Sequence, residues 1–393
     1  MQPIPPILPP LGGLSAEVFL RDYWQKKPLL IRQAFPGFVT PIEPEEFAGL
    51  ACEDDVNARI VLETAGSRPW EARHGPFTED DFRALPENGW SLLVTDVEKV
   101  IPEFMDIVER FRFVPDWRID DLMISYAPPG GSVGAHVDQY DVFLLQGYGT
   151  RRWMIETAVR EHEDLIPDID LRILREFNPD ESWVLEPGDM LYLPPGIPHH
   201  GVALEGCMTF SIGFRAPRHT DIVAGVCDYL ATALDENRFY SDPDLVLADN
   251  PGRIGPQALS KLRAVVRDTL SLSDDQLDRL LCRVLTERRA DMQPFYPQNE
   301  DLSPAALDKK LRKGERLMRT PACRLAFIDA SDGTRVLFAD GEELPLPPAL
   351  HPLAAYLCGA VHYDPDTLCE LANGEDGLSL LAQLYAQGAL LDD

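Results

Sequence analysis

The 393-residue chain is short of positive charge. It carries 36 Lys and Arg against 65 Asp and Glu, a formal net charge of −29. Nucleic acids and anionic membranes require basic surface, so DNA binding and membrane-surface binding are set aside and a basic partner is favoured. Cysteine is scarce too: the seven are an odd number and none sits in a C-x-x-C pair, which speaks against a disulfide framework or a structural zinc knuckle. No apolar run approaches the roughly 18 residues that cross a bilayer. The opening MQPIPPILPPLGG has no basic n-region and is broken by prolines, unlike a secretory signal. These absences together predict a soluble protein of the reducing cytoplasm.

Three stretches differ in pattern. Within residues 1–217, LSAEVFLRDYWQKKP predicts a helix ending before Pro28, PLLIR a short strand, and VEKVIPEFMDIVERF a helix. From about 117 to 215 the chain reads as short β segments (DLMISYAPP, DVFLLQGYG, RRWMIE, SWVLEPGDMLYLPPG, CMTFSIGFR) separated by Gly and Pro. That composition predicts an α+β protein with added helices around a sandwich or barrel rather than a wound parallel sheet. Residues 218–295 carry three helical stretches with apolar stripes at i, i+3, i+4. Asp274 and Asp275 stand where the third begins and Arg288 and Arg289 near its end, as the helix dipole favours. Stripes on all three predict a homodimer. Residues 300–393 place a strand–Asp332-Gly333–strand hairpin among helical stretches, a winged-helix-like order. With 8 Lys and Arg against 15 Asp and Glu over 301–393, this module is not expected to bind DNA.

The chemistry concentrates in GAHVDQYDVFLLQGYGTRRW and EPGDMLYLPPGIPHHGV. On a strand, His136 and Asp138 project from one face with Val137 turned away. An antiparallel strand of the barrel brings His199 beside His136. Two imidazoles and a carboxylate on one side of a metal form the facial triad of non-haem Fe(II) oxygenases, and the open positions take a chelating co-substrate and dioxygen. Arg151 follows a strand and a Gly147–Gly149 turn. A guanidinium deep in a barrel needs an anion, and the distal carboxylate of 2-oxoglutarate supplies one. The Ser125 hydroxyl adds a hydrogen bond to it. Thr209 and Ser211 are candidates for the pocket lining. Tyr140 and Asp141, beside the metal pair, serve either substrate contact or strand packing.

In FLRDYWQKKPLLIRQAF, PPGGSVGAHVDQYDVFLLQGYGTRRW, GDMLYLPPGIPHHG and FSIGFRAP, over roughly residues 14–217, the chain resembles the JmjC-domain 2-oxoglutarate oxygenases, specifically the bacterial ribosomal oxygenases. The resemblance implies a double-stranded β-helix, the jelly-roll or cupin-like form of that barrel, then a helical dimerisation region and a winged helix. It implies Fe(II) held by His136, Asp138 and His199, with 2-oxoglutarate on Arg151 and Ser125 and O2 as second co-substrate. Its motif assigns the third ligand to the histidine directly after the proline, His199. His200 adjoins it and is a local departure, and residues 199 and 200 point opposite ways on a strand, so only one faces the metal. The implied activity is hydroxylation of an arginine β-carbon in a basic large-subunit ribosomal protein. The same site would serve a JmjC-type hydroxylase or demethylase of another protein, and a cupin-like binding module without turnover would share the barrel.

Overall fold

Short apolar segments punctuated by glycine and proline build the first of two units in the computed structural model, Met1–Ala216; the second is Pro217–Asp393. The structure describes residues 9–64, 69–160, 162–247, 250–372 and 374–393.

Among the described residues, the strands of the first unit are β1 (Leu29–Ile31), β2 (Ala58–Glu63), β3 (Trp70–His74), β4 (Trp90–Val94), β5 (Ile119–Ala127), β6 (His136–Val137), β7 (Val142–Tyr148), β8 (Arg151–Ile155), β9 (Glu181–Leu185), β10 (Met190–Leu193), β11 (Pro198–Ala203) and β12 (Cys207–Phe214). They form two antiparallel sheets, in the orders β1-β10-β7-β12-β5-β4-β2-β3 and β6-β11-β8-β9. Val142, Leu144, Leu191 and Leu193 of the large sheet pack in one cluster with Trp153, Ile155 and Leu185 of the small one. This is the two-sheet sandwich of a jelly roll. One row crosses the inner face of the large sheet. Gln146 pairs with Thr209, Thr209 with Ser125, Ser125 with Leu93, and Leu93 with Arg59.

The N-terminal helix, Ala16–Asp22, is capped by Ser15 and ends at Tyr23, earlier than Pro28 requires. Tertiary contacts set that end. Phe19 is fully buried, with its ring centroid 4.9 Å from Tyr192 and 5.4 Å from Phe143. Gln25 turns left-handed (φ 55°) and donates its backbone N–H to the Tyr192 hydroxyl. The long helix expected over 97–111 is broken. Pro102 removes a donor and pushes Ile101 into extended backbone (φ −124°, ψ 93°), leaving helices Val97–Val100 and Met105–Val108 separated by a 3₁₀ turn. Strand β3 carries an exposed, charged pattern and was not anticipated.

In the second unit, helices span His219–Thr232, Pro256–Thr269 and Asp274–Thr286. The third is capped by Ser273, with Asp274 and Asp275 in its first turn. Arg288 and Arg289 lie beyond its C-cap; Arg288 pairs with Asp340 and stacks on Tyr296. That third helix packs on the hairpin, with Arg283 Nε donating to the Gly341 carbonyl at 3.0 Å and Arg279 paired to Glu343. An expected boundary near residue 300 therefore falls within one packed body. The hairpin, Leu325–Asp329 and Arg335–Ala339, turns at Asp332-Gly333 with Gly333 at φ +82°, and Glu342–Leu346 adds a third strand. Among the described residues, no helix is long and apolar enough to cross a membrane.

Candidate metal centre and co-substrate site

Strand β11 is the hinge of the site. It pairs with β6 on one edge, placing His199 directly opposite His136, and with β8 on the other. The two rings lie 4.2 Å apart, centroid to centroid. Each imidazole uses Nδ1 on a carbonyl two residues back: His136 on Gly134 (3.0 Å) and His199 on Ile197 (2.9 Å). With that nitrogen committed, Nε2 keeps its lone pair for the site. Both Nε2 atoms point at Asp138 Oδ2, from 3.8 Å for His136 and 3.5 Å for His199. One potential ligand atom from each of the three residues lies within 4.8 Å of the others.

Asp138 lies just past the two-residue strand β6 rather than on it. Its place is fixed by the Gly196 N–H, which donates to the Asp138 carbonyl at 2.8 Å. That bond ties it to the corner in PPGIPHH. His199 is 2% exposed. Burial, reinforced by the neighbouring His136, pushes its pKa down to about 4, so the ring is neutral, as a metal ligand must be. His200 faces the other way; its Nε2 lies 2.8 Å from Ser132 Oγ.

Arg151 opens β8 and is 4% exposed. Its Nε and Nη2 are buried and meet no hydrogen-bond partner among the described residues; its guanidinium lies 5.7 Å from the Trp153 ring. A buried cation with idle donors calls for an anion, which tests whether these residues fit 2-oxoglutarate. Two nitrogens and one oxygen facing one point likewise suit Fe(II). Ser125 and Thr209 are buried on the inner face of the large sheet. Gly147 is part of β7, so the turn before Arg151 is carried by Gly149 at φ +57°.

Asp141 is fully buried, accepting from the Tyr192 hydroxyl at 2.6 Å and from Gln25, and pairing with Arg118; its role is structural. Tyr140 is different. It is 41% exposed as a residue, yet desolvation around its hydroxyl, with the Asp138 and Asp121 carboxylates, pushes its pKa up. Asp121 shares the inner face with Ser125 by strand alternation. Burial and the Glu98 carboxylate raise its pKa to about 7 against the pull of Lys99. Glu98 accepts the Leu122 N–H at 2.9 Å, while Lys99 pairs with Asp96 and Glu98 and donates to the Asp120 carbonyl at 3.1 Å. The Asp121 carboxyl lies over Gly213, where an added Cβ would meet Oδ1 at 2.8 Å. Sequence reasoning missed Asp121 and Arg59, whose buried Nε has no hydrogen-bond partner among the described residues. The i, i+2, i+4 spacing of Asp121, Met123 and Ser125 was the available signal for the first.

Comparison with known proteins identifies the family. The JmjC domain family matches residues 106–222, and the ROXA-like winged helix matches residues 265–391. The Escherichia coli ribosomal protein uL16 3-hydroxylase is 36% identical over 364 residues, covering 90% of this chain and 94% of that protein. The chain belongs to the JmjC-domain ribosomal oxygenases. A probable ribosomal oxygenase of Haemophilus influenzae is 34% identical, covering 84% of this chain and 82% of its own length. The structure of the E. coli ribosomal oxygenase YcfD in complex with cobalt and 2-oxoglutarate superposes with TM-score 0.79 at 33% identity, covering 97% of this chain and 99% of that one. This ribosomal oxygenase is a 2-oxoglutarate-dependent dioxygenase that uses Fe(II) and O2.

Proposed function

We propose that this oxygenase hydroxylates the β-carbon of an arginine side chain in large-subunit ribosomal protein uL16. The observation that carries the arginine reading is Asp121: a half-buried, desolvated carboxyl on the inner face, sharing Tyr140 with the metal-site carboxylate Asp138. A guanidinium supplies both the charge and the donors that such a carboxylate lacks. The substrate protein follows from the 36% identical relative, whose name gives uL16 and position 3. Basic ribosomal protein also complements a chain of net charge −29.

In this reading His136, Asp138 and His199 hold Fe(II). The bound iron, with 2-oxoglutarate and O2, supplies the oxidising power that inserts oxygen into the target C–H bond. The chain's own residues do the rest. The Gly134 and Ile197 carbonyls hold the two imidazoles with Nε2 forward. Arg151 pairs with the distal carboxylate of 2-oxoglutarate, with Ser125 and Thr209 contributing hydroxyls. Trp153, Ile155 and Leu191 keep water from the pocket. Asp121 and Tyr140 set the guanidinium so that the β-carbon, rather than the charged end, faces the metal. Two wider features belong to the same reading. The enzyme works in the cytoplasm. It works as a homodimer, because Leu259, Leu262, Val265 and Val266 give helix 256–269 an exposed apolar face, extended by Leu270 just past its end and joined by Val223 on helix 219–232, that a second copy buries.

The test is mass spectrometry of ribosomal proteins from a strain lacking this gene. An arginine-containing uL16 peptide lighter by one oxygen atom supports the substrate. A uL16 of unchanged mass, with another protein lighter instead, overturns it.

A further inference from the structure

His136 and His199 are supported unequally. His199 sits inside a six-residue strand paired on both edges, behind a rigid proline corner. His136 opens a two-residue strand at the end of a glycine-rich loop, residues 128–135, and among the described residues its only cross-strand neighbour is β11. A short chain of hydrogen bonds supplies what the strand does not. His200, on the outward face of β11, places Nε2 2.8 Å from Ser132 Oγ. Ser132 is buried, and its Oγ accepts the Gly134 N–H at 3.0 Å. The Gly134 carbonyl in turn accepts from His136 Nδ1 at 3.0 Å.

A serine hydroxyl has one proton and two lone pairs. Having accepted from Gly134, it keeps its proton and a second lone pair for the hydrogen bond it shares with His200 Nε2. Gly134 makes this turn with φ +81°, and an added Cβ there would meet Ile173 at 2.8 Å. Side-chain packing therefore cannot hold that residue, and the hydroxyl does. Phe177, edge-on to His200 at 5.9 Å, limits the ring's freedom. The start of the same loop is tied to the end of the same strand, with Gly130 N–H donating to the Ala203 carbonyl and Ala203 N–H to that of Gly131. Strand β11 thus carries one metal-facing histidine on its inner side and a tether for the other on its outer side.

We propose that His200 is a positioning residue for the metal centre, latching Ser132 and through it fixing the carbonyl that aims His136. The inference rests on the reading of His136, Asp138 and His199 as the metal ligands. The group that hydrogen-bonds a ligating histidine is worth about 10–100-fold in metal affinity, and here that group, the Gly134 carbonyl, is the one Ser132 and His200 hold in place.

The test is Co(II) titration of the purified full-length apo-enzyme, followed by the visible ligand-field bands of the bound ion, with thermal melting of each variant alongside. Ser132→Ala and His200→Ala are each expected to weaken Co(II) binding by about 10-fold or more and to shift the bands. The double variant is expected to lose no more than either single one, because the two residues act as a unit. His200→Gln, which keeps a hydrogen-bonding amide, donor and acceptor both, near the position of Nε2, is expected to recover most of the affinity. Unchanged affinity and bands in both single variants overturn the latch, as does an equal loss in His200→Gln and His200→Ala. Should His200→Ala fail to fold, Ser132→Ala, which removes one oxygen atom, carries the test alone. His136→Ala in the same titration separates the two claims. Full binding there brings down the ligand assignment, whereas lost binding there with intact binding in the other variants brings down only the latch.

Discussion

Asp121 shows what a single residue contributes when burial and function compete. Desolvation, with Glu98 beside it, raises its folded pKa to about 7, well above the ordinary aspartate value of 3.8. Asp96, Lys99 and Asp120 also act on it, and Tyr140 faces it from the segment after Asp138. The folded protein therefore binds this proton more tightly than the unfolded chain does. The associated stability is complete below about pH 4 and is lost as pH rises through about 7. Substrate binding runs the opposite way, because only the ionised carboxylate attracts a guanidinium. The KM for an arginine-bearing uL16 fragment is expected to fall as pH rises through about 7, and Asp121→Asn is expected to raise KM about 10-fold or more and flatten that slope. Steady-state kinetics across this range decides the matter; a slope retained in Asp121→Asn counts against the assignment. Individual residues were unevenly legible in the sequence. His136 and Asp138 were a weak signal alone, since H-x-D recurs by chance, and became legible through His199 in the second motif, which completes a two-histidine, one-carboxylate set. Arg151, beside Arg152, reads alone as a surface arginine and gained its meaning only from its place after the metal motif. Asp121 and His200 were not legible: an aspartate next to another aspartate reads as surface, and a second histidine reads as a spare until Ser132 is seen against it.

At the scale of elements, the barrel strands followed from alternation and from the glycines and prolines between them. The departures share a cause, which is long-range contact overriding local pattern. The Ala16–Asp22 helix stops where Phe19 and Gln25 meet the barrel. The 97–111 segment has helical periodicity but is interrupted at Pro102. Strand β6 is too short to carry Asp138, so a backbone bond from Gly196 completes what the strand was expected to do. Pairing between β5 and β12 makes a specific demand in turn. Gly213 lies opposite Asp121, and a methyl group there would meet its carboxylate at 2.8 Å. Gly213→Ala is therefore expected to leave Co(II) affinity intact while raising KM for the uL16 fragment. A parallel loss of metal binding would show that the substitution disturbs the barrel rather than the carboxylate.

The whole molecule combines a barrel that holds the chemistry with a unit whose surface is unfinished. Composition indicated a basic partner, and periodicity indicated the helices, but neither could separate faces packed within one chain from faces left open. The structure leaves apolar side chains exposed along 219–232 and 256–269. Light scattering at micromolar concentration is expected to give twice the 44.0 kDa chain mass, whereas a monomer would remove the dimer from the proposal. The third helix belongs with the hairpin it packs on, a tertiary fact that no window of sequence contains. The central claim joins both scales: this site oxidises an arginine β-carbon. Its most direct test is aerobic incubation of the purified enzyme with Fe(II), 2-oxoglutarate and a uL16 fragment, read by mass and by succinate formed. The expected result is a gain of one oxygen atom on an arginine, with substrate-dependent succinate that disappears in His136→Ala. An unmodified fragment beside undiminished 2-oxoglutarate turnover, or full activity in His136→Ala, would contradict it.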